Sequence, residues 1–331
     1  MSHTQLTRAI GKSGVEASAV GLGTWAIGGW MWGGTDEQQS IAAIQASLDA
    51  GVTLIDTAPA YGLGRSEEIV GKALKGRRDK AVIATKCGLV WHTQKGQYFF
   101  DQGTQPVHRY LGRDAIMHEV EESLRRLGTD YIDLYITHWQ DPTTPIEETV
   151  RALEDLRTAG KIRAIGASNV NADELKAYIA TGSLDAIQEK FSMIDREIET
   201  ELLPLTQAKN VSTLSYSSLA LGLLAGTMDA ERIFSGDDQR KDNPRFSKAN
   251  LLKVQAFAES IRAVTNKHQA NIAQIVIAWT LTQPGVTFAL CGARNPAQAL
   301  ENAKAGTIRL DQQDLGVIDT AITAKLINLD K

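Results

Sequence analysis

The feature that most constrains the fold of this chain is an alternation, repeated eight times, of short apolar runs with longer helical patterns. Each run of about five apolar residues is typical of a buried strand, and the intervening segments space apolar residues along one helix face. Strands that alternate with helices form parallel sheets, and eight such units can close a barrel. The predicted strands are 19–22, 53–57, 81–86, 131–137, 162–167, 184–188, 211–216 and 287–291.

Two segments lie outside this eightfold pattern. Residues 6–18 predict a hairpin that plugs the barrel floor, and residues 311–325 predict an extra carboxy-terminal helix. No Pro- or Ser-rich linker divides the chain, so we expect one domain over residues 1–331. The predicted fold class is therefore α/β, a (β/α)8 TIM barrel with an N-terminal β-hairpin and an extra C-terminal helix.

Three long segments interrupt the alternation, at 24–36, 88–112 and 217–248. Each follows a strand, so we expect all three on the carboxy-terminal rim, where barrel enzymes hold their active sites. The first contains three Trp among glycines, and large aromatic side chains are costly to leave in water. This pattern favours an apolar wall over a substrate pocket rather than a mobile loop with incidental aromatic residues. The predicted wall comprises Trp25, Trp30, Trp32, Trp91, Trp139 and Tyr110.

Composition excludes several classes of function. The net charge is −4 and no run of Lys or Arg indicates nucleic acid or an anionic membrane as a partner. No uncharged apolar stretch reaches about 18 residues, and the amino terminus lacks the apolar core of a signal peptide. Cys87 and Cys291 form no metal-binding pattern and suit a reducing cytoplasm. We therefore expect a cytoplasmic protein without a bound metal; the sequence carries no signature of an oligomeric state.

Four residues of the first half carry the chemistry. Asp56, Lys86 and His138 each end a predicted strand, and Tyr61 lies on the loop that follows Asp56. Because each would be the last inward-pointing side chain of its strand, the three should meet Tyr61 at one barrel mouth. A phenol has a pKa of about 10, and a nearby ammonium lowers it and eases proton donation.

This arrangement indicates carbonyl reduction. Lys86 is the candidate ammonium beside Tyr61, with Asp56 as its counter-charge, and His138 can orient the carbonyl oxygen. None of the four can supply hydride, so a cofactor is required. Residues 215–226 carry small side chains that let backbone N–H groups approach a pyrophosphate. Residues 291–302 open a helix whose N-terminus favours an anion, and Arg294 there can bind a 2′-phosphate.

The four catalytic candidates and the two cofactor segments occur within a pattern that resembles the aldo-keto reductase family over nearly the whole chain. The resemblance implies a (β/α)8 barrel that reduces aldehydes and ketones with NAD(P)H, without metal or flavin. It also implies that Tyr61 is the general acid, that Lys86 and Asp56 tune it, and that His138 orients the carbonyl. The matching segments are GLGTW, LIDTAPAYGLGRSEEIVGKAL, VIATK, SLRRLGTDYIDLYITHW, GKIRAIGASN, SYSSLALGLLAG and GARNPAQALEN.

The resemblance further implies a cofactor site assembled from several rim segments. Ser168, Asn169 and Gln188 would hold the nicotinamide carboxamide, and Tyr216 would stack on the ring. The residues implied along the pyrophosphate are Ser217, Leu219, Gly222 and Leu224. Those implied at the adenosine end are Gly292, Arg294, Gln298, Glu301 and Asn302, and those beside the catalytic groups are Gly23, Thr24, Trp25 and Asp56.

The likeness is greatest to a bacterial subfamily with GTWAIGGxMWGGTDE near its start, which includes NADP-dependent glycerol dehydrogenases, equivalently glyceraldehyde reductases, and general stress reductases. It implies short hydroxyaldehydes such as glyceraldehyde as substrates, with glycerol oxidation as the reverse reaction.

The chain departs from the family pattern at the cofactor site. Many relatives have Lys-Ser where this chain has Gly292-Ala293, and Arg where it has Gln298. Arg294 therefore carries the expected preference for NADP over NAD, and NADH is a weaker alternative. Many relatives also have Tyr-Asn or Tyr-Ser after the Gln of this strand, whereas the run here is Gln188-Glu189-Lys190-Phe191-Ser192, so that phenol is absent.

Two other functions fit parts of the pattern. Aldo-keto-reductase-like subunits of membrane channels bind NADPH and serve chiefly as interaction modules, although the Trp-rich first loop favours a free enzyme. A barrel aldolase or isomerase would use Lys86 as a Schiff-base nucleophile. Asp56 would hold Lys86 protonated, which suits a reductase better.

Overall fold

The structure, a computed structural model, describes residues 5–226, 228 and 231–329. The strands within them are β1 (Thr7–Ala9), β2 (Glu16–Ser18), β3 (Val20–Gly23), β4 (Leu54–Asp56), β5 (Val82–Cys87), β6 (Leu89–Val90), β7 (Gln97–Gln102), β8 (Gln105–Arg109), β9 (Ile132–Thr137), β10 (Ile162–Ser168), β11 (Ala186–Lys190), β12 (Ser212–Tyr216) and β13 (Phe288–Gly292).

The α-helices are α1 (Glu37–Asp49), α2 (Arg65–Ala73), α3 (Arg113–Leu127), α4 (Ile146–Thr158), α5 (Ala172–Thr181), α6 (Leu202–Lys209), α7 (Lys248–Ser260), α8 (Arg262–His268), α9 (Ile272–Thr280), α10 (Pro296–Ala305) and α11 (Gln312–Lys325). Among the described residues, no helix combines the length and the apolar character needed to cross a membrane.

Eight parallel strands close a barrel in the order β10-β11-β12-β13-β3-β4-β5-β9. These are the eight strands predicted from the sequence, and each predicted boundary lies within two residues of the observed one. The apolar runs are buried because helices cover the outside of the sheet while side chains fill its interior. The (β/α)8 TIM barrel is therefore confirmed.

The two predicted additions to the barrel are also present. β1 and β2 pair antiparallel, and the hairpin that they form inserts Ile10 and Val15 into the cluster of side chains inside the barrel. Arg8 fixes the hairpin by donating to the carbonyl oxygens of Leu281, Val286 and Thr287. At the other end of the chain, α11 confirms the extra helix.

The three long segments all lie after barrel strands, as predicted. Residues 24–36 begin with a 3₁₀ turn at Trp25–Gly28. Residues 88–112 contain a separate antiparallel sheet in the order β6-β8-β7. Residues 217–248 contain 3₁₀ turns at Ala220–Ala225 and Pro244–Phe246, and positions 227, 229 and 230 of this segment lie outside the described residues.

A buried ion pair ties the strand that carries Lys86 to its surrounding helices. Glu67 on α2 is fully buried and accepts hydrogen bonds from Thr85 Oγ1 at 2.6 Å and from Arg126 Nε at 2.7 Å. Arg126 projects from α3, so the pair joins α2, β5 and α3. Removing one partner of such a pair leaves a buried charge without compensation, which is far more costly than losing a surface pair.

We therefore predict that Arg126→Met lowers the free energy of unfolding by about 3–5 kcal/mol. The control is Arg125→Met on the same helix, because Arg125 pairs with Glu122 in solvent and should contribute at most about 0.5 kcal/mol. Urea unfolding followed by circular dichroism measures both. Equal destabilisation by the two substitutions would contradict a structural role for the buried pair.

Candidate active site

The four side chains predicted to meet at the barrel mouth do so around one ammonium group. Lys86 Nζ lies 2.9 Å from Asp56 Oδ1 and 3.2 Å from the Tyr61 hydroxyl, and it donates to the Thr57 carbonyl oxygen at 2.8 Å. The His138 ring meets the Tyr61 ring edge to face, with centroids 5.8 Å apart. Asp56, Lys86 and His138 come from the carboxyl ends of the neighbouring strands β4, β5 and β9.

Tyr61 reaches this position because two loops cross where both have glycine. Gly28 packs so closely on the Tyr61 backbone that a Cβ there would lie 2.6 Å from the Tyr61 carbonyl carbon. At Gly62 (φ +72°) a Cβ would lie 2.4 Å from the Gly28 carbonyl oxygen. Any larger side chain at either position would push the phenol away from the barrel mouth.

The charges at this mouth fix the protonation of Lys86 and His138. Burial is the largest effect and lowers the pKa of Lys86, but the charges and hydrogen bonds of Asp56 and Tyr61 together outweigh it, and the pKa ends above the usual lysine value. A lysine held protonated in this way is no Schiff-base nucleophile, so the aldolase alternative loses its support. Burial, with a contribution from the Lys86 charge, holds the pKa of His138 well below its usual value, so the imidazole is neutral at physiological pH.

One electrostatic expectation was wrong. The sequence predicted a lowered pKa for Tyr61, whereas the structure places that pKa above its ordinary value. Burial of the hydroxyl is the largest cause, and the Asp56 charge adds to it. The Lys86 ammonium acts in the predicted direction but does not outweigh these two. Tyr61 is therefore a protonated phenol at neutral pH, and Lys86 limits how far its pKa rises.

The residues predicted to hold a carboxamide surround the same four groups. Gln188 Nε2 donates to Asp56 Oδ1 at 2.7 Å. Asn169 adopts a left-handed conformation (φ +56°), donates to the His138 carbonyl oxygen at 2.9 Å and accepts from the Tyr216 hydroxyl at 2.8 Å. Ser168 Oγ donates to the Gln188 carbonyl oxygen at 2.7 Å. These side chains form one hydrogen-bonded network with the mouth of the barrel.

A cavity of about 880 Å³ opens above this network. Most of the predicted site residues line it: Gly23, Trp25, Trp30, Trp32, Asp56, Tyr61, His138, Trp139, Ser168, Asn169, Gln188, Tyr216, Ser217, Leu219, Gly222, Gly292, Arg294, Gln298, Glu301 and Asn302. Lys86 is buried and reaches the cavity only through its contacts with Asp56 and Tyr61.

Besides Lys86, four predicted residues lie away from the cavity lining. Thr24 is buried behind the wall, where its hydroxyl donates to the Asp56 carbonyl oxygen. Leu224 is fully buried in the apolar cluster around Trp279. Trp91 packs behind the wall near Leu89 and Val107, and the Tyr110 hydroxyl donates to Asp114. The wall prediction is wrong for these last two, because Trp91 packs against an apolar cluster and Tyr110 bonds a surface carboxylate, and neither lines the cavity.

The same small sheet supplies wall residues that sequence reasoning missed. Phe99 and Phe100 of β7 line the cavity, and the Phe100 ring stacks on Trp30 with centroids 5.2 Å apart. Two adjacent phenylalanines in a segment expected on the rim were the available signal. Arg232 and Arg240 also line the cavity from the segment after β12. Nothing in the sequence distinguishes these two arginines from other surface cations.

The groove between β3, β12 and β13 suits an extended anionic ligand. Gly23 and Gly292 are register partners on adjacent strands and leave a strip without side chains at the rim. Ser217, Ala220, Leu221 and Gly222 all have positive φ, which turns the backbone sharply along the groove. The guanidinium of Arg240 lies beside this turn, where a Cβ on Gly222 would be 3.9 Å from its Nη1. Trp32 Nε1 is buried without a hydrogen-bond partner. These features fit a dinucleotide.

Arg294, the predicted 2′-phosphate partner, lies at one end of the groove and already holds another element. Its Nη1 donates to the Trp32 carbonyl oxygen at 3.2 Å and its Nη2 to the Gly34 carbonyl oxygen at 2.6 Å. Gln298 Oε1 accepts from the Arg294 backbone N–H at 2.9 Å. A guanidinium has five N–H groups, so three of those of Arg294 are left for a ligand after two have bound the loop.

Comparison with known proteins identifies the family. A sequence model described as the aldo/keto reductase family matches residues 19–323. The chain is 45% identical over 315 residues to aldo-keto reductase YhdN of Bacillus subtilis (strain 168), covering 93% of this chain and 92% of that protein. It is 43% identical over 311 residues to the NADH-specific methylglyoxal reductase of Escherichia coli (strain K12), covering 92% and 94%.

A solved structure extends the similarity to three dimensions. The glycerol dehydrogenase AKR11B4 from Gluconobacter oxydans superposes with a TM-score of 0.87 at 37% sequence identity, covering 100% of this chain and 98% of that one. The shared fold and the identity over the whole length agree with the match to the family model.

Behind the mouth, Glu119 on α3 supports the turn that follows Lys86. Glu119 is buried, and its Oε2 accepts from the Gly88 N–H at 2.8 Å, where Gly88 has φ +90°. Burial is the largest cause that raises the pKa of Glu119 to about 8, against the Gly88 hydrogen bond. The carboxyl is therefore mostly protonated at neutral pH in the folded chain and ionised in the unfolded chain.

A raised pKa in the folded state predicts a stability that falls as pH rises. The contribution of Glu119 is complete below about pH 4.5, where it is protonated in both states, and is lost as pH rises through about 8. Glu119→Gln keeps an acceptor for Gly88 and removes this loss, so the substitution should be nearly neutral at pH 5. At pH 9 it should raise the free energy of unfolding by about 1–4 kcal/mol.

Thermal unfolding between pH 5 and pH 9 tests this prediction. The matched control is Glu121→Gln, an exposed carboxylate on the same helix. A gain for Glu119→Gln that is the same at both pH values, or that also appears for Glu121→Gln, would contradict the assignment.

Proposed function

The chain belongs to the aldo/keto reductase family and is an oxidoreductase, and we propose that it reduces short hydroxyaldehydes to alcohols with NADP(H). The observation that carries this proposal is the Lys86 ammonium held between Asp56 and the Tyr61 hydroxyl at the floor of the cavity. A buried phenol that lines a ligand cavity and whose oxygen accepts a hydrogen bond from an ammonium suits general acid catalysis.

In this proposal Tyr61 delivers the proton to the carbonyl oxygen. The raised pKa keeps the phenol protonated until the substrate oxygen gains negative charge. As the proton leaves, the Lys86 ammonium stabilises the phenolate, and Asp56 prevents loss of the ammonium proton by its own charge. A bound nicotinamide dinucleotide would supply the hydride.

His138 and the aromatic wall position the carbonyl. Because its pKa lies well below the usual value, His138 is a neutral hydrogen-bond donor to the substrate oxygen and does not compete with Tyr61 as the acid. Trp25 lies over Tyr61, with ring centroids 6.2 Å apart and planes inclined by 28°. Trp30, Phe100 and Trp139 continue the wall and limit access of water to the developing alkoxide.

The residues around the groove support binding of a dinucleotide phosphate. Gln188, Asn169 and Ser168 would hold the carboxamide beside the four catalytic groups, with Tyr216 on the ring face. The turn at 217–222 would cradle the pyrophosphate, with Arg240 beside it. Arg294 would bind the 2′-phosphate, which favours NADPH over NADH. The NADH specificity in the name of the Escherichia coli relative makes this preference the part to test first.

The names of the relatives support small oxygenated carbonyl compounds as substrates. The Gluconobacter protein is named a glycerol dehydrogenase, and the Escherichia coli protein a methylglyoxal reductase. In this chain an indole-rich wall faces a catalytic floor with polar donors, so the C–H face of a short hydroxyaldehyde can pack on indole while its carbonyl meets Tyr61. We therefore propose glyceraldehyde as a representative substrate and glycerol oxidation as the reverse reaction.

We predict that the enzyme consumes NADPH with glyceraldehyde and that Tyr61→Phe lowers kcat at least about 100-fold while NADPH still binds. Phenylalanine keeps the ring against Trp25 and removes only the proton donor. Turnover across glyceraldehyde, dihydroxyacetone, methylglyoxal and an aromatic aldehyde, with NADPH fluorescence as the binding readout, measures both parts. Tyr98→Phe, an exposed phenol on β7, is the control. Turnover within a few-fold of wild type for Tyr61→Phe would show that another group is the acid.

We predict that Arg294→Ala weakens NADPH binding about 10–150-fold and leaves NADH binding nearly unchanged, because only NADPH carries a 2′-phosphate. Isothermal titration with each cofactor measures this, with Arg262→Ala on the exposed face of α8 as the control. Equal affinity of the wild-type protein for both cofactors would overturn the preference. Loss of both cofactors in Arg294→Ala would place Arg294 in the fold rather than at the phosphate.

A further inference from the structure

The loop of residues 29–34 carries two of the wall indoles but has little structure of its own. It contains three glycines, with Gly28 directly before it, and Gly29, Met31, Gly33 and Gly34 all have positive φ. Its internal backbone hydrogen bonds run only from Trp32 and Gly34 to the Gly29 carbonyl oxygen. A segment of this composition has many accessible conformations, so external contacts must select the observed one.

Two side chains from opposite sides of the groove provide four of those contacts, and the Gln239 backbone N–H adds a fifth by donating to the Met31 carbonyl oxygen at 3.1 Å. From the segment after β12, the Asp237 carboxylate accepts from the Met31 N–H at 2.8 Å and from the Gly33 N–H at 2.9 Å. From the segment after β13, the Arg294 guanidinium donates to the carbonyl oxygens of Trp32 and Gly34. The loop therefore spans the groove, and one carboxylate and one guanidinium together bind a backbone group of each of the four consecutive residues 31–34.

The position of this loop determines the shape of the substrate wall. Trp30 stacks on Phe100, and Trp32 meets Trp25 edge to face with centroids 5.5 Å apart. Trp25 in turn lies over Tyr61. A shift of the loop backbone at residues 32–34 would therefore move Trp32 against Trp25, above the proposed acid.

We propose that Arg294 is a specificity-determining residue for the aldehyde as well as for the cofactor, because it positions the loop that carries Trp30 and Trp32. This inference rests on the proposed function and extends it to a residue that need not touch the substrate. The guanidinium fork reaches two carbonyl oxygens at once and still has three N–H groups for a phosphate. Arg294 is a positioning residue for the wall, and Asp237 is its counterpart on the other side of the groove.

The two roles of Arg294 separate when NADH is the cofactor, because NADH has no 2′-phosphate. With saturating NADH, Arg294→Ala should raise the KM for aldehydes about threefold to tenfold and change their ranking, with a smaller effect on kcat. Asp237→Ala should produce the same change in the ranking and should leave the ratio of NADPH to NADH affinity as in wild type. Arg294→Lys should restore phosphate binding in part but not the ranking, because an ammonium lacks the planar two-carbonyl geometry.

Hydrogen–deuterium exchange on the cofactor-free protein supplies a readout that does not depend on activity. Amides of residues 29–34 should exchange faster in Arg294→Ala and in Asp237→Ala than in wild type, whereas Arg262→Ala should leave them unchanged. An unchanged aldehyde ranking with unchanged exchange in Arg294→Ala would overturn the inference, even if NADPH affinity falls as the proposed function requires.

Other outcomes separate the positioning role of Arg294 from its phosphate-binding role. Faster exchange and a changed ranking in Arg294→Ala, without any loss of NADPH preference, would support the positioning role and reject the phosphate role. A wild-type protein that oxidises neither NADH nor NADPH with any aldehyde would reject the proposed function, and the exchange rates would still decide whether Arg294 and Asp237 hold the loop. A change in ranking for Arg294→Ala but not for Asp237→Ala would overturn the idea of a loop held from both sides.

Discussion

The active site depends on one buried ammonium, that of Lys86, and on the negative charge that allows it to remain there. Burying a lysine costs several kcal/mol unless a counter-ion and hydrogen-bond acceptors replace water. Here the ammonium donates hydrogen bonds to Asp56 and to the Thr57 carbonyl oxygen, and a third to the Tyr61 hydroxyl. This constraint couples β4 to β5, because neither charge is stable at the barrel mouth without the other. Gln188 adds a further donor to Asp56 and so links the pair to the opposite side of the barrel.

The surroundings of this pair decide what each neighbour can do. Burial raises the pKa of Tyr61 and lowers that of His138, so both groups are neutral hydrogen-bond donors at physiological pH. The Lys86 charge opposes burial at Tyr61 and reinforces it at His138. The Lys86 charge therefore gives the two groups different roles, since it favours proton release from the Tyr61 phenol and disfavours proton uptake by the His138 imidazole.

The rim follows a different physical rule from the barrel. Barrel strands are placed by burial and by ladder hydrogen bonds. The aromatic loop at 29–34 is placed chiefly by contacts from other segments: the side chains of Asp237 and Arg294 and the backbone N–H of Gln239. Apolar rings then complete the wall, with Trp30 on Phe100 and Trp32 on Trp25. Cofactor and substrate selection can be coupled in such a design because a residue at the cofactor end of the groove also fixes the wall.

The sequence alone determined the eight strands, the hairpin plug, the terminal helix and the meeting of Asp56, Tyr61, Lys86 and His138, because apolar periodicity and strand parity are local properties of the chain. Only the tertiary structure decided the direction of the Tyr61 pKa, since desolvation depends on everything packed around the hydroxyl. It alone placed Phe99, Phe100 and Arg240 on the cavity and turned Trp91 away, because side chains on irregular segments have no periodic rule. The contact of Arg294 with a loop some 260 residues earlier likewise has no local signal, and it exists only because closure of the barrel brings β13 beside β3.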